Sequence, residues 1–126
     1  MSFSNYLETK VLDHVFGATA YTAPATLYVA LYTAAPSDTG GGTEVSGTGY
    51  ARQTATFTTS GATTSNDSAI EFPTAGSSWG TVTHVGVFDA STAGNLLVYG
   101  SLAVSKLVES GDVFRIPAGD LDISLD

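Results

Sequence analysis

The sequence predicts a mainly β fold, an antiparallel β-sandwich of jelly-roll-like form, carrying one N-terminal helix. Three observations point there. Apolar and polar residues alternate with period two through most of the chain, as side chains on opposite faces of a strand require. The runs are short and separated by Gly, Pro, Asn, Asp and Ser at hairpin spacing. Only the first sixteen residues carry a helical period. A length of 126 residues suits a single domain, 1–126, with no linker or internal repeat.

The helix is expected over about residues 4–16. Ser4 or Asn5 can cap it, and Glu8 follows Asn5 at capping-box distance. Leu7, Val11, His14 and Val15 follow i, i+4, i+7, i+8 spacing, and Leu12 and Phe16 widen the stripe. Gly17 suits the left-handed position that ends a helix. Twelve residues or so are marginal alone, so the stripe must dock, either on the chain's own sheet or on a neighbouring subunit.

From Thr26 to Tyr32 both alternating sets are apolar, which predicts a strand covered on both faces. Ala35 to Gly47 holds Pro36, Asp38 and three consecutive glycines, and reads as a long flexible loop that an interface would order. Tyr50–Thr59 and Ile70–Phe72 are the next strands, the latter stopped by Pro73. Thr81–Asp89 and Leu96–Leu102 flank a turn at Ala90–Asn95 and form a hairpin. Val113–Ile116 follows a turn at Glu109–Asp112. After Pro117-Ala118-Gly119 the closing strand begins, with Leu121, Ile123 and Leu125 expected inward and Asp120, Asp122, Ser124 and Asp126 outward.

Composition narrows the function. Twelve acidic against four basic residues give a net charge of −8, and Lys10, Arg52, Lys106 and Arg115 are scattered. Nucleic acid is therefore not expected as a partner, since phosphate binding rests on clustered cations. No apolar run approaches the ~20 residues of a membrane span, so no membrane partner is expected. The opening residues lack the basic and apolar regions of a secretion signal, which points to synthesis in the cytoplasm. There is no Cys for thiol chemistry or thiolate metal sites. Only 13% of residues are charged, about half the usual share, which fits a chain that assembles with neighbours.

No catalytic, cofactor or metal constellation emerges. Gly76-Ser77-Ser78-Trp79-Gly80 matches the letters of a nucleophile elbow, but Pro73 precedes it and a β pattern follows where a helix is needed. Trp79 reads instead as an anchor for the next strand. His14 and His84 read as structural or surface residues. Asp120, Asp122 and Asp126 share a face, but alternate strand positions lie about 7 Å apart, too far for one Ca²⁺ without help. Gly40–Gly42 lacks the Lys of a phosphate loop. The tyrosines suit core packing or a subunit interface, with a sugar-stacking platform as the alternative. The candidate interface is Tyr21, Tyr28, Tyr32, Asp38, Gly41, Glu44, Tyr50 and Trp79.

One set of segments runs from Asn5-Tyr6-Leu7-Glu8 through Ala20–Pro36, Gly41–Gly47, Tyr50-Ala51-Arg52-Gln53 and Trp79–His84 to Ala118–Ile123. In these segments, spread over nearly the whole chain, the sequence resembles small tailed-bacteriophage virion proteins of a phage tail fibre family. The resemblance implies a virion protein that is not an enzyme and needs no cofactor. It implies partners among other tail or capsid proteins and a homo-oligomer, with a trimer among the forms expected. Fibre repeats and coiled-coil heptads are absent from the sequence. The family name points to a tail or tail-fibre-associated part, with a decoration or cement protein of the capsid and a module that binds host-surface carbohydrate as the alternatives.

Overall fold

The computed structural model describes residues 1–125, so the outward position expected for Asp126 lies outside the described residues. The elements are β1 (Ser2–Phe3), α1 (Asn5–Phe16), β2 (Leu27–Ala34), β3 (Thr43–Glu44), β4 (Gln53–Ala55), β5 (Phe57–Ser60), β6 (Thr63–Asn66), β7 (Ile70–Glu71), β8 (Gly80–Phe88), β9 (Leu96–Val108), β10 (Arg115–Ile116) and β11 (Asp122–Ser124). All pairing is antiparallel. The large sheet runs β1-β9-β8-β2-β3, with β4 also on β2. A three-stranded sheet, β11-β6-β5, and a two-stranded ribbon, β10-β7, complete the fold. The expected mainly β, antiparallel architecture with one helix is therefore the one the chain adopts.

Strand β2 explains the layering. Val29, Ala30, Leu31 and Tyr32 are each at most 3% exposed. Val29 and Leu31 face the main core with Val85, Val87 and Val98 of the large sheet, against Ile70, Phe72, Ile116 and Leu121 from the smaller layers. Ala30 and Tyr32 face the other way and pack with Phe88 and Leu96 in a second, smaller cluster. Fully burying such side chains stabilises by roughly 1.5–3 kcal/mol each, so a strand apolar on both faces belongs in the centre of the sheet. Gly86 lies on that second face, where a Cβ would stand 2.9 Å from Leu96 and 3.1 Å from Tyr32. Only a hydrogen there lets the two side chains close over the strand.

Several boundaries differ from expectation for local reasons. Residues 50–59 form two strands because the chain changes layers at Thr56: β4 pairs with β2, and β5 pairs with β6. The helix is capped by Ser4, whose hydroxyl accepts from the Leu7 N–H at 3.2 Å and donates to the Leu96 carbonyl at 2.5 Å. Gly17 does not take the left-handed position; its φ is −101°. Ala18 takes it instead, with φ 54°. The long loop is ordered from within: it holds β3, and the Val45 N–H donates to the Leu31 carbonyl at 2.9 Å.

The closing strand keeps only part of its expected pattern. Leu121 is buried, Ile123 is half-buried, and Leu125 is 58% exposed. Its pairing with β6 ends at Ser124 opposite Thr63, so Leu125 lies past the core, where its N–H bonds the Ala62 carbonyl beside the hairpin tip. Leu121→Ala is expected to cost about 2–5 kcal/mol, and Ile123→Ala about 1–2 kcal/mol, since less apolar surface is lost there. Chemical denaturation of the two variants checks the order.

Candidate functional site

A cleft of about 550 Å³ opens on the second face of the large sheet. Three segments form its walls: the start of α1, the glycine loop after β2, and the turn between β8 and β9. Tyr32, Phe88 and Leu96 form its floor. The Asn5 N–H donates to the Asp38 carbonyl at 2.9 Å and ties the helix to the loop. The Tyr99 hydroxyl donates to the Asp38 carboxylate and ties the same loop to β9.

Arg52 is the centre of the arrangement. Its Nε and Nη2 donate to the two Glu44 oxygens at 2.9 and 2.8 Å, a forked ion pair. Its Nη1 donates to the Ala90 and Ala93 carbonyls at 3.0 and 2.8 Å. Its guanidinium lies 3.7 Å from the centre of the Phe88 ring, within cation–π range. One side chain thus joins β4, the glycine loop and the β8–β9 turn. The Tyr50 hydroxyl donates to Glu44 at 2.6 Å and accepts from the Leu31 N–H at 3.1 Å.

Charge states follow from these contacts. Burial by itself would push the Glu44 carboxyl up, but hydrogen bonds from Arg52 and Tyr50, with the Arg52 charge, outweigh it and hold the group below its ordinary value. Burial, with the Glu44 carboxylate nearby, pushes the Tyr32 phenol up to about 12. Burial and the bond to Glu44 push the Tyr50 phenol up as well. Glu44 ionises more readily in the folded chain than in the unfolded one. Its stabilising contribution is therefore complete above the unfolded value of 4.5 and is lost as the pH falls through that value toward the lower folded one. Wild type is expected to lose more stability than Glu44→Gln between about pH 6 and pH 3. Urea midpoints measured across that range check it.

Four of the eight residues expected at an interface, Tyr32, Asp38, Gly41 and Glu44, converge on this cleft. Tyr50 stands behind it, bonded to Glu44. The others lie elsewhere. Tyr28 flanks the second cluster, half-buried. Tyr21 sits beyond the helix, where its ring meets Tyr6 edge-on and its N–H donates to His14 Nδ1 at 3.0 Å. In the isolated chain Tyr32 and Trp79 are 3% and 5% exposed, so both side chains are largely taken up by packing within the fold. Tyr32 is drawn in by the apolar second cluster. Trp79 packs edge-on against Tyr50 and donates its indole N–H to the Thr48 carbonyl at 3.0 Å.

Arg52, Phe88 and Asn95 are cleft residues the sequence reading missed. The available signal was one Arg eight residues after a Glu, in a chain with few cations. His84 bonds the Thr83 hydroxyl, and neither imidazole is hydrogen-bonded to a carboxylate among the described residues. Among those residues no three of His, Asp and Glu gather as metal ligands, and no helix is long and apolar enough to cross a membrane.

The cleft can hold small polar groups, but most of its acids and amides already bond the chain itself, so its first effect is to fix three loops. Outside it, the largest apolar exposure is on the helix: Leu12, Val15 and Phe16 are 58%, 61% and 82% exposed. Comparison with curated proteins finds no match. Comparison with family models matches residues 2–124 to the family described as Podophage GP4 fiber I protein gp80. With nearly its whole length matched, the chain belongs to that family of phage fibre proteins, and it is a structural component of the virion.

Proposed function

We propose that the chain acts without turnover, as a tail-fibre-associated part that works through contacts with other virion proteins. The observation that carries this is the helix stripe. Leu7 packs against the main core, but Leu12, Val15 and Phe16 face outward at i, i+3, i+4 spacing. An apolar stripe exposed on a short helix marks a contact surface. Tyr21, close to the end of the stripe, belongs to the same proposed surface. Asp38 and Gly41, at the cleft rim, stay accessible for a second contact.

The fibre family favours tail placement over capsid decoration. A carbohydrate-binding role would use the cleft, yet Glu44, Asp38 and Asn95 are engaged with Arg52, Tyr99 and Asp89. A sugar would compete with those bonds.

The test is a double variant, Leu12→Ser with Phe16→Ser. Both sites are exposed, so folding stability should stay within about 0.5 kcal/mol. Immobilised wild type should retain fibre components from disassembled particles, and the variant should not. Equal retention by both would refute the role given to the helix.

A further inference from the structure

The floor of the cleft holds a polar group that the fold leaves unused. Tyr32 is 3% exposed, yet its hydroxyl has no hydrogen-bond partner among the described residues, whereas those of Tyr50 and Tyr99 are both bonded. None of the described side-chain oxygens and nitrogens is both sealed from solvent and unpartnered, so the Tyr32 hydroxyl reaches water. It does so where Tyr32 lines the cleft. A nearly buried hydroxyl without a partner in its own chain depends on water or a ligand for one.

The walls repeat the pattern. Asp38 accepts from Tyr99 with Oδ1, and its Oδ2 has no partner among the described residues. Asn95 donates Nδ2 to the Asp89 carboxylate at 2.8 Å, which fixes the orientation of the amide and leaves its oxygen open. One oxygen on the floor and one on each of two walls are thus open acceptors. Gly40 and Gly41 leave empty space where a Cβ would stand, so the loop wall narrows the entry with backbone alone.

Charge sets the sign of the ligand. Arg52, the one cation lining the cleft, is paired with Glu44. Asp38 has no cation at ion-pair distance among the described residues, and neither has Asp89, which holds Asn95. Burial first, and then the Glu44 charge, push the Tyr32 phenol up to about 12, against a smaller opposing effect of Arg52. The phenol therefore keeps its proton at neutral pH, and its oxygen sits in a net negative potential. An anion is repelled there, and a neutral hydroxyl gains nothing from the unpaired charge. A primary ammonium is a compact cation with three donors and no acceptor, and it suits the open oxygens. The net charge of −8 draws such a group toward the chain.

We propose that the cleft binds a primary ammonium, supplied by a lysine side chain of a neighbouring virion protein, with Tyr32, Asp38 and Asn95 as its acceptors. This gives the chemistry of the second contact proposed above, and rests on that contact role.

The Tyr32 hydroxyl makes no bond within the fold, so Tyr32→Phe should melt no lower than wild type. Nα-acetyl-lysine amide is the probe. It should shift the backbone NMR signals of Gly40–Gly42 and Ala93–Asn95 saturably, in the millimolar range, and acetylation of its side-chain nitrogen should abolish the shifts. Tyr32→Phe and Asp38→Asn should each weaken binding about tenfold, the loss of one hydrogen bond to a charged group. The ammonium site is overturned if the acetylated probe binds as well, if Tyr32→Phe binds as tightly as wild type, or if Tyr32→Phe melts lower, since the hydroxyl would then have a partner in the fold. Capture of fibre components from disassembled particles tests the source. Immobilised Tyr32→Phe should retain less than wild type, and the probe should compete. Probe binding with undiminished retention and no competition overturns the virion lysine and assigns the site to a free amine. Failure of wild type to retain any component removes the contact role, and the virion lysine with it, whatever the probe does.

Discussion

Arg52→Ala is expected to lower the stability of the folded chain by about 3–5 kcal/mol, the range for breaking a largely buried ion pair by removing one partner. The Arg52 side chain is only 8% exposed and that of Glu44 is 26% exposed. Removing the guanidinium leaves the Glu44 carboxylate without its charge partner, frees two carbonyls of the β8–β9 turn and uncovers the Phe88 ring. Arg52→Lys should recover little of the loss, because one ammonium cannot reproduce the fork on Glu44 while also holding Ala90 and Ala93. Urea denaturation measures both variants. In a double-mutant cycle with Glu44→Ala, the combined loss should fall well short of the sum of the single losses.

Phe72→Ala should cost about 3–5 kcal/mol, as expected for emptying a large aromatic site in a packed core. Phe72 is 1% exposed and is the largest fully buried side chain. Its ring stacks on Tyr50 at 6.1 Å between centres and meets Phe114 edge-on at 5.9 Å. Its N–H donates to the Phe114 carbonyl, so backbone pairing holds the residue in place while the cavity forms. Tyr50 bonds Glu44, so the cavity should also loosen the cleft. Phe72→Ala and Arg52→Ala should therefore combine non-additively, a coupling that thermal melts of the double variant will show.

The parts legible in the sequence are those where burial and period coincide. The apolar run of β2, the β8–β9 hairpin and the capped helix follow directly from side-chain patterning. Strand β6 does not, because Thr63-Thr64-Ser65-Asn66 has no apolar alternation. It is a strand because β5 and β11 pair with it on either side. Strand β9 runs six residues beyond its expected end at Leu102, because its bulge breaks the period of two just where the strand continues. Leu125 misleads for the opposite reason: the alternation persists after the core has ended.

The cleft shows the same division. Asp38, Gly41 and Glu44 stood out because polar and glycine residues gather in one loop. Arg52 did not, because its partners lie 8, 38 and 41 residues away and only the folded chain brings them together. The glycine loop was expected to need an interface to become ordered. Its order comes instead from Glu44, held by Arg52 and Tyr50, and from Gly42, whose φ of 73° and closeness to Pro36 leave no room for a Cβ.

Hydroxyl-radical footprinting of the purified chain and of intact particles tests most directly whether the protein works by contact through its helix. Leu12, Val15 and Phe16 should be oxidised readily in the free chain and protected in the particle, while the exposed tip at Gly61 and Ala62 changes little. Equal oxidation of the three stripe residues in both samples would contradict that account.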